Sequence, residues 1–559
     1  MSTRAAVTHP PAPGRPARWS TALGVLLLAV AAATLVGWER LFGALLPACG
    51  GGCPVFAPWW GGALATCLML LGSAALAWIT LREERLSRSA WLVVGGVAVL
   101  ARVLLVVGAQ RYGLSLGPRG VALDDESSYD YAARWLVVIA REPARGLPFE
   151  FSHLPGPYLH LLGALYTLIT PSVILGRVLG ALQSLLLVLV GAAFAVRLAG
   201  PRAAALTGLL IALMPGILVW SPFLLKDTLI AVTAASVLLA VVQRGSRHAP
   251  LAFGVLASGL LVLVDSRAYV GLAEAGVVAV VGLVRVWNAG WRRRVTGSNG
   301  AFRARRIRRG AVLALAGLVV VGLGVGFATV ARSALGDNPA ARLLYYQVVL
   351  ELVPPPVEPL GEALVGWRPA PPVGGFMATI NRPDGGQDMG MIVAERRSDV
   401  IVATTRDDFE VVPRSRLSSV EQIEPVWAVR ALVQRSLGNA VKVFTAPLTT
   451  GMPSALYVGM GVDALVWLAT LAAGTWLGLR THGLPWLRLP VAFAWAMLLL
   501  LSLVSGNPGN LVRQRAALTY PVLLMCIAAG LTHRKWPSAA LPSRVRAPTP
   551  LAQETDGRR

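Results

Sequence analysis

The chain has 559 residues, 55% of them hydrophobic and only 14% charged, with 51 Lys and Arg against 28 Asp and Glu and a formal charge of +23. At a mean hydropathy of +0.62, it lacks the charge a soluble protein of this length needs to cover its surface, and it fits no disordered or collagenous class. Four cysteines are too few for a disulfide scaffold, so the composition points to an α-helical polytopic membrane protein.

Crossing a hydrocarbon layer of about 30 Å takes roughly 17 to 25 apolar residues. Runs of that kind lie near 20–40, 61–81, 91–109, 173–196, 204–220, 223–243, 250–264, 268–284, 310–331, 456–479, 485–504 and 514–531. The arginines orient them. Arg4, Arg15 and Arg18 precede the first span, Arg82, Arg85 and Arg88 follow the second, and the run Arg292 to Arg309 is the densest. All fall on the cytoplasmic side if the apolar stretch 157–170 is re-entrant or interfacial rather than a span. Loop placement thus accounts for the basic excess, and no nucleic-acid partner is expected. The partner is the lipid bilayer of the plasma membrane, crossed many times.

The expected organisation is a cytoplasmic tail 1–19, spans in 20–109, an extracytoplasmic acidic loop with juxtamembrane helices in 110–172, and a transmembrane core 173–331. An extracytoplasmic α+β region follows in 332–455, then spans in 456–531 and a disordered basic cytoplasmic tail 532–559. The first span resembles a signal peptide in charge and position but reads as a retained anchor. Cys49 and Cys53 flank a glycine run in an external loop and could form a local disulfide or stay as thiols. Cys67 and Cys526 read as small apolar packing residues.

In 332–455, alternating runs at Phe376–Ile380, Met389–Ala394, Val400–Thr404 and Phe409–Val412, broken by Asp384-Gly385-Gly386, predict a β-meander. Ser418-Ser419-Val420-Glu421 gives a candidate capping box, and Pro425 opens an amphipathic helix through Trp427, Leu432 and Leu437.

Polar residues in or beside a bilayer are costly and are therefore functional candidates. Asp124-Asp125-Glu126 and Asp130 place four carboxylates within seven positions of the first large external loop. They repel one another unless a cation, an arginine or solvent compensates. Asp124 and Glu126 could hold a divalent cation, Mg or Mn, through hard oxygen ligands. One member could instead accept a proton from an attacking hydroxyl, or the cluster could simply cap the helix from Tyr129 to Ala140. His153, between apolar stretches broken by Pro155 and Pro157, could contact a phosphate or shuttle a proton. Lys226 and Asp227 open a span on different helix faces. Lys226 could hold an anionic head group, and Asp265 and Arg267 form an external corner where a local ion pair is the simplest expectation. Arg513 and Arg515 sit on the external side, against the general bias, where bidentate hydrogen bonds to a phosphate are favourable. Ordinary lipid phosphates would satisfy the same pair. Glu274, Asp463 and Gln183 fall within spans.

In order and spacing these residues resemble the GT-C superfamily of membrane glycosyltransferases, nearest the protein-mannosyltransferase and aminoarabinose-transferase branch. Asp125-Glu126-Ser-Ser-Tyr129 is similar to the family's Asp-Glu-x-x-Tyr pattern in the first external loop. Gly176-Arg177-Val178-Leu179-Gly180, Asp227 after a Pro-containing run, and Arg513-Gln514-Arg515 before Pro521 follow in the family's order. His153 stands where the family usually has Lys-Pro, the spans in 20–81 form an extra hairpin, and 332–455 matches nothing in the family pattern.

The resemblance implies an inverting, polyprenyl-phosphate-sugar-dependent transferase acting at the extracytoplasmic face. Asp125 would be the general base, assisted by Asp124 or Glu126. His153, Lys226, Asp227, Arg267, Arg513 and Arg515 would bind the lipid-phosphate donor, and an acceptor hydroxyl of unspecified origin would be the second substrate. The alternatives are a lipid-linked-saccharide flippase or transporter, whose polar residues would line a mid-membrane path, a polysaccharide polymerase or ligase, and a scaffold presenting 332–455.

Overall fold

The computed structural model describes residues 18–36, 58–84, 86–111, 121–142, 156–243, 248–267, 269–280, 338–352, 365–369, 377–404, 408–419, 422–446, 455–481, 485–504 and 508–534. The span expected at 310–331, the run Arg292 to Arg309, the Cys49–Cys53 loop, His153 and both tails lie outside them.

Among the described residues six helices are long and apolar enough to cross a membrane: Trp59–Glu83, Arg88–Arg111, Val173–Ala199, Ala249–Ser266, Gly461–Arg480 and Val512–Thr532. Shorter apolar helices cover Trp19–Val30, Pro201–Leu213, Tyr269–Val280 and Arg488–Val504, and Lys226–Val242 is a further apolar helix. The chain is a multi-pass membrane protein. On Arg88–Arg111 the large residues Leu92, Leu100 and Leu104 are exposed, the inverse of a soluble helix, because their solvent is lipid.

The expected span 204–220 is broken. It runs as Pro201–Leu213 and restarts as the short turn Pro215–Leu218, since Pro215 supplies no N–H to continue the first helix. The stretch expected as re-entrant is a 13-residue helix, Gly156–Leu168, too short to cross. It buries Tyr158, Leu159, Leu162 and Tyr166. Cys526 is buried as a packing residue, whereas Cys67 is exposed rather than packed.

The transmembrane helices share one apolar core, with Phe194, Val232, Leu263, Trp467 and Phe493 almost fully buried in it. A second core belongs to a sheet unit. Its strands are β1 Arg368–Pro369, β2 Met377–Asn381, β3 Gln387–Glu395, β4 Asp399–Ala403, β5 Phe409–Pro413 and β6 Leu417–Ser418. The order is β5-β4-β3-β2-β6, with β1 on β3. The four runs read as a meander are therefore β2 to β5, all antiparallel. β6 returns to pair with β2, a closure that the alternation pattern, only two residues long there, could not signal. Gly385 has φ +80, the left-handed conformation that suits glycine in the β2–β3 turn.

Two helices cover this sheet, Pro339–Leu352 and Pro425–Thr445, through Ala341, Leu344, Val348 and Ala428 against Met389, Met391 and Val393. Pro425 is at the helix start as expected. The N-cap is Glu424 without a side-chain cap bond, while Ser418 is spent in β6, so the Ser418–Glu421 capping box does not start this helix.

Candidate functional site

Asp227 is the centre of a polar cluster in the helical bundle. It lies in the first turn of Lys226–Val242 and is 2% exposed. Its Oδ1 is 3.0 Å from Nη2 of Arg267 and its Oδ2 is 2.9 Å from Nε of Arg513. Arg267 follows the helix Ala249–Ser266 and Arg513 lies in Pro508–Arg534, so three distant segments meet on one carboxylate. Arg267 Nη1 also donates to Tyr269 Oη at 3.3 Å, and Tyr269 Oη donates to Gln514 Oε1 at 2.9 Å across 245 positions of sequence. The local Asp265–Arg267 pair expected at this corner gives way to Asp227, which offers a buried carboxylate where charge pairing is stronger.

Lys226 adds a third cation in the field of Asp227. Lys226, Arg267 and Arg513 thus gather three cationic side chains around one carboxylate, a grouping that favours anions. Nearby, the buried hydroxyls of Tyr158 and Ser266 have no hydrogen-bond partner. Unsatisfied buried hydroxyls are uncommon, and here they adjoin the cationic group: Tyr158 is in the field of Asp227 and Ser266 precedes Arg267.

The acidic segment forms the start of the helix Val121–Arg141. The backbone of Asp124 and Asp125 is in its first turns, and their side chains are outside the described set. Glu126 is buried and held by Arg177, with Nε 3.0 Å from Oε1 and Nη2 3.3 Å from Oε2, while Arg177 Nη1 donates to Gln110 at 3.2 Å. Both oxygens of Glu126 are thus engaged by a guanidinium. Asp130 accepts from Tyr166 Oη at 2.6 Å and pairs with Arg134 at 2.8 Å. Tyr129 is buried edge-on against Tyr158 at 5.2 Å between ring centroids. It lies in the field of Arg267.

Two glycines set the approach to Asp227. A Cβ on Gly180 would be 2.6 Å from the carbonyl oxygen of Ser221, and one on Gly176 would be 2.7 Å from Leu224 side-chain carbons. The turn 220–225 that delivers Lys226 and Asp227 thus lies in a groove that only glycine leaves open. Between the two glycines Arg177 reaches Glu126, so one short motif positions both the acidic helix and the cationic cluster. In the helix below, burial pushes the His160 imidazole down to about 4, which keeps it neutral near pH 7.

Arg515 is elsewhere. Two residues along a helix is about 200° of rotation, and Arg515 points away from Asp227. Its guanidinium lies 4.5 Å over the Trp467 ring and donates from Nη1 to the Val443 carbonyl at 2.6 Å. Of the expected residues, the structure brings together Lys226, Asp227, Arg267 and Arg513. It assigns Glu126 to an ion pair and Arg515 to helix packing. Arg177, Tyr129, Tyr158, Tyr269 and Gln514 were not expected as site residues. Their signals were the invitation of Gly-Arg-x-x-Gly spacing and the position of Gln514 between two arginines. Among the described residues no three His, Cys, Asp or Glu gather as a metal-binding group.

No family model and no curated protein matches the chain. Among solved structures it matches the crystal structure of ArnT from Cupriavidus metallidurans bound to undecaprenyl phosphate, at 16% identity and a TM-score of 0.32, over 77% of this chain and 78% of that one. A likeness at that TM-score carries no structural argument, and the chemistry of the site rests on its own residues.

Proposed function

We propose that the chain is a membrane glycosyltransferase of the GT-C kind, which transfers a sugar from a polyprenyl-phosphate donor to an acceptor hydroxyl at the extracytoplasmic face. The observation that carries this reading is the meeting of Arg267 and Arg513 on the buried Asp227, with Lys226 in the same field and the unpartnered hydroxyls of Tyr158 and Ser266 nearby. A phosphate is the anion that suits guanidinium donors, and a lipid phosphate reaches a site at the end of transmembrane helices.

In this reading Arg513 and Arg267 hold the donor phosphate. They stabilise the charge that develops on it as the bond from the anomeric carbon to phosphate oxygen breaks. Asp227 orients the two guanidiniums rather than touching the donor. The acceptor oxygen attacks the anomeric carbon from the opposite side, its proton passing to the Asp125 carboxylate, and the electron pair of the broken bond leaves on the phosphate. Asp125 is the acid of the Asp125-Glu126-Ser-Ser-Tyr129 motif, four positions before Tyr129. Glu126 is left out of the chemistry because Arg177 holds both of its oxygens.

The test is transfer by the reconstituted protein from a panel of polyprenyl-phosphate sugars. Asp125→Asn, at retained expression, is expected to abolish transfer. Full activity of that variant would remove Asp125 as the base.

A second reading is favoured by buried polar side chains within spans. Arg102, 1% exposed, is held by Ser184 Oγ and the Ala212 carbonyl, and the carboxylate of Glu274 and amide of Gln183 are buried without partners. Such groups suit a lipid-linked-saccharide flippase. Movement of a fluorescent lipid-linked sugar between leaflets, without any transfer product, would select it.

A further inference from the structure

The helix Pro425–Thr445 carries an apolar stripe on its outward face as well as on the face that packs against the sheet. Val426, Val429, Val433, Leu437 and Val441, at helical spacing, are each between 50% and 70% exposed. Its covered face carries Ala428 and Val443 together with the polar Ser436 and Asn439, all buried, and Arg435, which donates to the Thr404 carbonyl of the sheet unit. A second apolar stripe, facing outward along the whole helix, describes a helix whose outer solvent is not water.

Its path agrees. Gln347 Nε2 bonds both Ser436 Oγ at 3.0 Å and the Leu503 carbonyl at 2.6 Å, which sets Ser436 level with the end of the helix Arg488–Val504. Eight residues later Phe444 packs on Trp495, eight residues back along that helix, at 6.2 Å between centroids. At 1.5 Å per residue both paths descend about 12 Å, so the second half of Pro425–Thr445 runs down the side of Arg488–Val504. Phe444 also meets Trp467 at 6.0 Å, twelve residues or about 18 Å from the start of the helix Ala455–Arg480. A helix ending at that depth needs its last carbonyls satisfied by protein, since lipid cannot do it. Arg515, from the helix Pro508–Arg534, does so at Val443. At the other end Arg430 lies 5.2 Å over Trp427, the residue types that settle at head-group level. Val462, Leu465, Trp495 and Leu499 on the two neighbouring helices are exposed apolar residues as well.

We propose that Pro425–Thr445 is seated in the membrane leaflet on the sheet's side, its Val433–Leu437–Val441 stripe against lipid acyl chains, and that it anchors the sheet unit to the bilayer. The occupant of the stripe is lipid, neither a soluble partner nor a second copy of the chain. The inference does not depend on the transferase reading.

The experiment places single cysteines at Val433, Leu437 and Val441, with Arg397→Cys on the exposed β3–β4 turn as control, in proteoliposomes of phosphatidylcholine and phosphatidylglycerol. Labelling above the parent chain by a membrane-impermeant maleimide is expected to be at least about tenfold slower at the stripe than at the control, because apolar surroundings exclude the reagent. Nitroxides attached in detergent before reconstitution should then collide with oxygen more than with an aqueous nickel complex at 433, 437 and 441, and the reverse at 397. Labelling at the control rate, or nickel collisions exceeding oxygen at the stripe, would overturn the proposal. Dipolar broadening between nitroxides would assign the stripe to a second copy and overturn it too. Three stripe positions keep the outcome readable if one variant fails to fold.

Discussion

Asp227 and Arg513 lie 2.9 Å apart, 2% and 7% exposed at their side chains, and come from segments far apart in the chain. Arg267 completes the carboxylate's other edge at 3.0 Å. One buried acid therefore ties the end of one helix, the start of a second and the body of a third.

Asp227→Asn removes the charge that compensates two buried guanidiniums. Breaking a buried pair on one side costs about 3–5 kcal/mol. The variant is expected to show a clear drop in unfolding temperature by fluorescence in detergent, along with loss of transfer. Unchanged thermal stability would show that Asp227 is not holding the three segments together.

Arg513 and Arg515 separate by role. Arg513→Lys keeps a charge but loses the planar donor set, so donor KM should rise by about tenfold or more, at a cost near 1.4 kcal/mol, with the fold retained. Arg515→Lys loses the contact over Trp467 and the Val443 carbonyl. It should lower stability by about 1–3 kcal/mol and leave donor KM unchanged. A KM effect at Arg515 equal to that at Arg513 would return Arg515 to the phosphate site.

Gly180→Ala puts a Cβ 2.6 Å from the Ser221 carbonyl, so the turn before Asp227 must move. A lower unfolding temperature and reduced transfer are expected, of the size of overpacking, about 1–3 kcal/mol. Gly95, where a Cβ would meet nothing within 4 Å, is the control, and Gly95→Ala should be neutral in both measurements.

Because Arg177 occupies both oxygens of Glu126, transfer should survive chelation by EDTA. Loss of activity that Mg or Mn restores would give the cation back to Asp124 and Glu126. The same pair predicts that Glu126→Gln destabilises the protein, as read by thermal unfolding, while Asp125→Asn is neutral in that measurement and inactive in transfer.

How far the sequence reached is seen in individual residues. The apolar runs, the excess of arginine and the four strands of the meander are local patterns, set by the length of a hydrocarbon crossing and by alternation along a strand, so they could be read directly. The opposite directions of Arg513 and Arg515 were also readable, since helical rotation sends i and i+2 to different faces, yet their nearness in sequence favoured a shared phosphate. The expected ion pair of Asp265 with Arg267 failed for a similar reason: adjacency is a weaker guide than burial, and Asp227 was the buried carboxylate.

What the sequence by itself determined is a chain that must lie in a membrane, with few charges inside its apolar runs, because desolvating them there is costly. Only the tertiary structure decided which of those charges meet. Asp227, Arg267, Arg513, Tyr269 and Gln514 are brought together by helix packing through Gly176 and Gly180, and contacts across 245 positions leave no periodic trace along the chain. The outward direction of the valine stripe on Pro425–Thr445 was decided there too, since the stripe acquires a direction only when the sheet unit and Arg515 fix the opposite face.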